Sequence, residues 1–117
     1  MKLSHVEENK RLSMSCGNGN VIFLSGLVGN PEKTDFDSQV LDLFKEIERV
    51  LEVSGSGIDN MLHVRIYLRD VGNFNRFNEL YEKWLENVHR PARTCVGVEL
   101  ANEKWLAEAE VVAAVRD

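Results

Sequence analysis

Two amphipathic helical stripes, each leading through a short break into a strand, constrain this chain more than any other feature in it. In the segment "NPEKTDFDSQVLDLFKEIERVLEVSGSG", Phe36, Val40, Leu43, Phe44, Ile47, Val50 and Leu51 recur at three- and four-residue steps. That spacing puts them on one face of a helix. Thr34 or Asp35 is placed to cap its start, and Ser-Gly-Ser-Gly from Ser54 ends it. The next ten residues, "MLHVRIYLRD", change period. Leu62, Val64, Ile66 and Leu68 fall on one side of a strand, and His63, Arg65, Tyr67 and Arg69 on the other. A second stripe follows, Phe74, Phe77, Tyr81, Trp84, Leu85 and Val88, with Asn73 placed to cap it and Pro91 unable to continue it. "RTCVGVEL" and "WLAEAEVVAAV" then read as two further strands.

Ahead of the first helix, Leu12, Met14 and Cys16 alternate with Ser13 and Ser15, and "VIFLSG" is a short apolar run that reads as a central strand buried on both faces. "CGNGN" between them holds two glycines and two asparagines, residues that accept positive φ, and marks a hairpin turn. The element order is β-β-α-β-α-β-β, an α+β chain. Right-handed crossovers set both helices on one face of a mixed sheet. The other face has no cover of its own, yet its strands carry valine, leucine and tyrosine. Such a face marks a subunit interface, so the chain is expected to self-associate through its sheet.

With 117 residues the chain has the length of a single domain, 1–117. Its net charge of −5 argues against a nucleic-acid or anionic membrane surface as partner. No apolar run is long enough to span a bilayer, and "MKLSHVEENK" has no apolar core of a signal peptide; a cytoplasmic protein is expected. Cys16 and Cys95 fit no redox or metal spacing and read as reduced thiols, and His5, His63 and His89 lack metal-ligand spacing.

Few residues suggest chemistry. Arg93 stands two residues after Pro91 at a strand start. Its guanidinium is a planar fork that matches a carboxylate, although an ion pair with a glutamate or a cap on the preceding helix explains it equally simply. Glu108 and Glu110 share one face of the last strand, with Cα atoms about 6.5–7 Å apart. Glutamate is depleted in strands. If that face is buried, a carboxylate there pairs with a cation or has a raised pKa suited to acid–base work. If the strand is an exposed edge, the charges guard against aggregation. Glu108 fits both readings and Glu110 fits the edge better. Ser25-Gly26 ends the apolar strand where a glycine admits close approach to the backbone. Ser25 lacks a nucleophile elbow, Cys95 reads as packing, and Asn78 reads as a surface residue off the apolar stripe.

Together these residues resemble a family signature. "RPARTCVGVEL" followed by "AEAEVVAAV" is similar to the Pro-x-Arg-Ser/Thr-x-Val motif, with a glutamate fifteen residues after the arginine, of the RidA (YjgF-like) family of enamine/imine deaminases. "VIFLSG" and "IYLRDVGNFNRFNELYEKWL" resemble the family's buried strand and second-helix region, so the resemblance runs from about Val21 to Val115. It implies a chorismate-mutase-like fold, a homotrimer with sheets packed inward, and clefts between neighbours. It implies that Arg93 holds the carboxylate of a 2-imino or 2-enamino acid, and that Glu108 positions or protonates around the attacking water. Backbone groups of Gly26 and Cys95 then contact substrate or water, and Ser25 and Asn78 stand behind them. No metal or cofactor is required. Leu12 stands where well-characterised members carry a tyrosine, and Leu27 where many carry glutamine. Both changes are expected to make the cleft more apolar or differently shaped. Two other readings of the same cleft are a non-catalytic receptor for a carboxylate metabolite and a chaperone-like protein; the first needs Arg93 but not Glu108, and the second needs neither.

Overall fold

The computed structural model describes residues 2–117. Seven strands form one sheet: β1 (Ser4–Val6), β2 (Ser15–Gly17), β3 (Val21–Leu24), β4 (Leu27–Val28), β5 (Met61–Leu68), β6 (Ala92–Gly97) and β7 (Ala107–Ala114). Two helices, α1 (Phe36–Val53) and α2 (Phe74–Trp84), pack on it. The strand order is β1-β2-β3-β7-β5-β6, with β4 also pairing with β7. Among the described residues only β5 and β6 are parallel, joined across α2. The fold is α+β and mixed, as the element pattern predicts, with one added strand at the start and one short strand after Gly26.

Each element has a local cause. The hairpin between β2 and β3 turns at Gly19, φ 97°, while the Asn18 side chain accepts from the amides of Asn20 and Val21. Asp35 caps α1 by accepting from the Ser38 amide at 2.9 Å, and the helix ends at Ser54 with Gly55 at φ 82°. Asn73 sits at the start of α2 without a side-chain cap bond. Asp70 supplies it one turn earlier by accepting from Gly72, because a single 3-10 turn, Val71–Asn73, precedes the helix.

The core lies between the helices and one face of the sheet. Val40, Leu43, Phe44, Ile47, Val50 and Leu51 of α1 meet Val64, Ile66 and Leu68 of β5 and Ala107, Ala109, Val111 and Ala113 of β7. The small alanines let the helices approach the central strand. Phe44 stacks on Trp84 at 4.1 Å, and Phe77 and Tyr81 meet its edges, which locks the two helices together. Two sequence expectations fail here. Leu62 is exposed, because a register shift between Met61 and His63 turns Met61 inward instead. The strand at Val21–Leu24 is buried on one face only: Ile22 and Leu24 point to the core while Phe23 is 58% exposed on the open face, where Val96 is exposed as well.

Gln39 is the polar residue of the buried helical face. Its Nε2 donates to the carbonyls of Lys33 (2.9 Å) and Lys104 (3.1 Å), and its Oε1 accepts from the Leu106 amide at 2.7 Å. One side chain thus ties the loop before α1 to the loop that delivers β7. Gln39→Leu keeps the bulk and strands three buried backbone groups, so it is expected to cost about 2–4 kcal/mol in urea unfolding. A loss below about 1 kcal/mol would show that water replaces these bonds freely.

Candidate active site

The residues of the motif fall into two groups on opposite faces of the sheet. Arg93 on β6 pairs in register with Val64, so its side chain points to the helix side. There its Nη2 donates to Asn78 Oδ1 at 2.6 Å, and its Cζ lies 4.9 Å from the centre of the Tyr81 ring. No glutamate pairs with it among the described residues, which removes the ion-pair explanation. Cys95, two residues on, faces the same way and packs against the core. Burial pushes its thiol pKa up, with Arg93 opposing more weakly, so it stays protonated at neutral pH.

Glu108 on β7 pairs with Tyr67 on one side and Val28 on the other, between core-facing Ala107 and Ala109, and so points to the open face. It is half-buried. Burial raises its pKa above the usual glutamate value, and the neighbouring Glu110 carboxylate raises it further. It has no hydrogen-bond or ion-pair partner among the described residues. Glu110, on the same face, is engaged through its Oε1: it pairs with Arg65 at 3.1 Å and accepts from the Tyr67 hydroxyl. The expectation that these glutamates guard an exposed edge is wrong, because β7 is a central strand flanked by β3, β4 and β5.

Gly26 sets the position of Glu108. Phe23 pairs with Val112 and Leu27 with Ala109, so four steps along this edge of the sheet span three along β7. The extra residue bends the chain at Leu24–Gly26. A Cβ on residue 26 would overlap Glu108 Oε2. Ser25 anchors the bend: its hydroxyl donates to the Ser13 carbonyl at 2.6 Å and its amide to the Met14 carbonyl at 2.9 Å. Leu12, exposed, lines with Ser13, Phe23 and Ser25 an open depression of about 500 Å³ on this side. Leu27 does not reshape it. It is 3% exposed and lies in the core, because the bend turns residue 27 inward. Gly26→Ala displaces only the end of the Glu108 side chain. Little change in melting temperature is expected and, if Glu108 serves as an acid–base group, a fall in activity of about tenfold or more, since a misplaced acid–base group is inefficient. Unchanged turnover would mean that the carboxylate works equally well elsewhere.

Arg93 and Glu108 are separated within one chain by two strand spacings and three residue rises, about 14 Å between Cα atoms, with side chains on opposite faces. Among the described residues no cluster of three or more His, Cys, Asp or Glu is placed to hold a metal, and no helix is long and apolar enough to cross a membrane.

An α+β sheet with two helices on one face is shared with known proteins. A family model described as Endoribonuclease L-PSP matches residues 4–115, and the chain belongs to that family, the YjgF/RidA family. It is 37% identical over 103 residues to Protein HMF1 of Saccharomyces cerevisiae, covering 84% of this chain and 79% of the yeast protein. It is 30% identical over 117 residues to the RutC family protein YoaB of Escherichia coli K12, covering 98% and 100% of the two chains. A crystal structure of a YjgF family member from Neisseria meningitidis superposes with a TM-score of 0.94 at 32% identity, covering 100% of this chain and 98% of that one.

Sequence reasoning missed the placement of the aromatic stripe beneath Arg93. Phe74, Phe77 and Tyr81 read as core residues, and nothing in their spacing distinguishes a core stripe from a floor for a cation.

Proposed function

We propose that the protein is a metal-independent hydrolase of 2-imino and 2-enamino acids, releasing 2-oxo acids and ammonia in the cytoplasm. In this reading each active site lies between two copies of a homotrimer, with Arg93, Asn78 and Cys95 from one and Leu12, Ser25, Gly26 and Glu108 from the next. The observation that carries it is Glu108: a half-buried carboxylate of raised pKa, unpartnered among the described residues, seated against a glycine that leaves it room. A structural carboxylate in a strand finds a cation, as Glu110 does with Arg65. One that stays unpaired and titrates closer to neutrality is suited to moving protons. The separation of Arg93 from Glu108 supports the sharing, because a substrate of a few heavy atoms cannot touch both within one chain. The exposed Phe23 and Val96 on the open face support its burial against further copies.

The chemistry asks little else. The guanidinium holds the substrate carboxylate and fixes the imine carbon. A 2-enamino acid first takes a proton at its β carbon, from protonated Glu108, and becomes an iminium ion. Water adds to the iminium carbon as ionised Glu108 accepts its proton, which gives a carbinolamine. Glu108 passes that proton to the amine nitrogen, the C–N bond breaks as the hydroxyl proton returns to Glu108, and ammonia leaves with the 2-oxo acid. Holding the carboxylate and water together supplies the larger part of the acceleration, and the carboxyl shuttle the rest.

The test is ammonia release from imino acids generated in place from several amino acids, with Arg93→Ala as control, alongside sedimentation of the parent chain. A species of about three times 13.3 kDa and Arg93-dependent ammonia release are expected. A stable monomer at micromolar concentration, or release unchanged by Arg93→Ala, would contradict the reading. Binding of 2-oxo acids without any turnover would make the cleft a carboxylate receptor instead.

A further inference from the structure

We propose that the Tyr81 and Phe74 rings are positioning elements that hold Arg93 in its carboxylate-binding orientation. The inference rests on Arg93 being the substrate anchor. Phe74, Phe77 and Tyr81 stand at i, i+3 and i+7 on α2 and present one face to the sheet edge. The Arg93 Cζ lies 4.9 Å from the centre of the Tyr81 ring, 5.8 Å from that of Phe74 and 5.9 Å from that of Phe77. All three lie within the range where a ring face attracts a guanidinium.

The floor under the cation is rigid. Tyr81 is 4% exposed, and its ring is wedged among Phe44, Phe77 and Trp84 at centroid distances of 6.4, 5.8 and 6.0 Å. Asn78, three residues before Tyr81 and four after Phe74, accepts from Nη2 at 2.6 Å and fixes rotation of the guanidinium about its own axis. Nε and Nη1 have no partner among the described residues, so the rest of the fork is free to meet a carboxylate. The rings set the plane and Asn78 sets the angle within it. Without them a long side chain samples many rotamers, and binding must order it again.

The Tyr81 hydroxyl is not part of this device. It is buried and makes no hydrogen bond among the described residues. A phenylalanine there keeps the ring and removes an unsatisfied polar group. This separates a role for the ring from a role for the oxygen.

The experiment uses the full chain and pyruvate as the probe. The Nε–Hε signal of Arg93, assigned by its loss in Arg93→Lys, reports the ring current of its neighbours without any ligand. Tyr81→Leu and the milder Phe74→Leu, at a position already 43% exposed, are expected to move this signal toward the position of free arginine. They are expected to weaken pyruvate binding about threefold to tenfold. Tyr81→Phe is expected to keep both signal and affinity. In an Arg93→Lys background, Tyr81→Leu is expected to lower the remaining affinity by less than about twofold, since a coupled pair loses its interaction once. An unmoved signal with unchanged affinity in folded Tyr81→Leu, or in Phe74→Leu if the former does not fold, overturns the proposal. So does equal loss in Tyr81→Phe and Tyr81→Leu, which would assign the effect to the hydroxyl. If Arg93→Lys itself leaves pyruvate binding intact, the anchor reading fails, and the signal alone decides whether the rings hold the side chain.

Discussion

Arg93→Lys is expected to lower kcat/KM for 2-imino acids by about 30- to 1000-fold, equivalent to roughly 2–4 kcal/mol. Lysine keeps the charge but replaces a planar fork with a single ammonium on a mobile stem. It lacks the delocalised cation that sits over Tyr81, and it cannot offer two parallel donors to a carboxylate while Asn78 holds a third. The loss should therefore appear in pyruvate binding as well as in turnover, because the carboxylate is held before and during the reaction. Titration of pyruvate against both proteins, beside steady-state rates, checks this. Wild-type affinity in the lysine variant would leave Arg93 a residue that merely packs on α2.

Glu108→Gln is expected to behave differently. It keeps the shape seated against Gly26 and removes the transferable proton, so kcat should fall by about 10²-fold or more while pyruvate affinity stays within about threefold. The pH profile should lose the limb set by a carboxyl of raised pKa. Stability should shift in the opposite sense to activity. A carboxyl whose pKa is higher in the folded than in the unfolded state costs nothing at acid pH, where both states carry the proton. The cost grows as pH rises through the raised folded value. Glutamine escapes it. The variant should melt no lower than the parent at pH 7–8 and should lose any advantage by about pH 4, near the ordinary glutamate value. Glu110→Gln, whose carboxylate is held by Arg65 and Tyr67, should leave kcat within about threefold, so a large loss there would mean the two glutamates act as one unit.

The contrast between those two glutamates illustrates what the chain makes legible. Periodicity places both helices, the hairpin and both motif strands within a few residues, because a helical stripe and a strand alternation are local properties. The face on which a side chain emerges is not local. Arg93 and Glu108 are fifteen residues apart in the motif, yet the connection between their strands carries one to an edge and the other to the centre of the sheet. The shift at Met61 and His63 inverts Leu62, and the bend at Gly26 sends Leu27 into the core. Both are single-residue changes of register, and each turns the side chain beside it to the face opposite the one strict alternation predicts. Ser25-Gly26 did carry a signal, since glycine at a strand end marks close approach. The Tyr81 floor carried none, because a ring that faces a cation and a ring that faces a leucine occupy the same helical position.

The shared site is the central claim, and mixing two inactive proteins tests it most directly. Arg93→Ala supplies an intact Glu108, and Glu108→Gln supplies an intact Arg93. Refolded together at equal concentration, random assembly pairs an intact arginine with an intact glutamate across about a quarter of the interfaces of a cyclic trimer. Ammonia release should recover to about a quarter of the parental rate per chain, while each variant refolded alone stays inactive. Recovery that disappears when the variants are refolded separately and then mixed cold would further tie it to subunit exchange. No recovery from mixed trimers, shown to contain both chains by mass spectrometry, would contradict a site built from two copies.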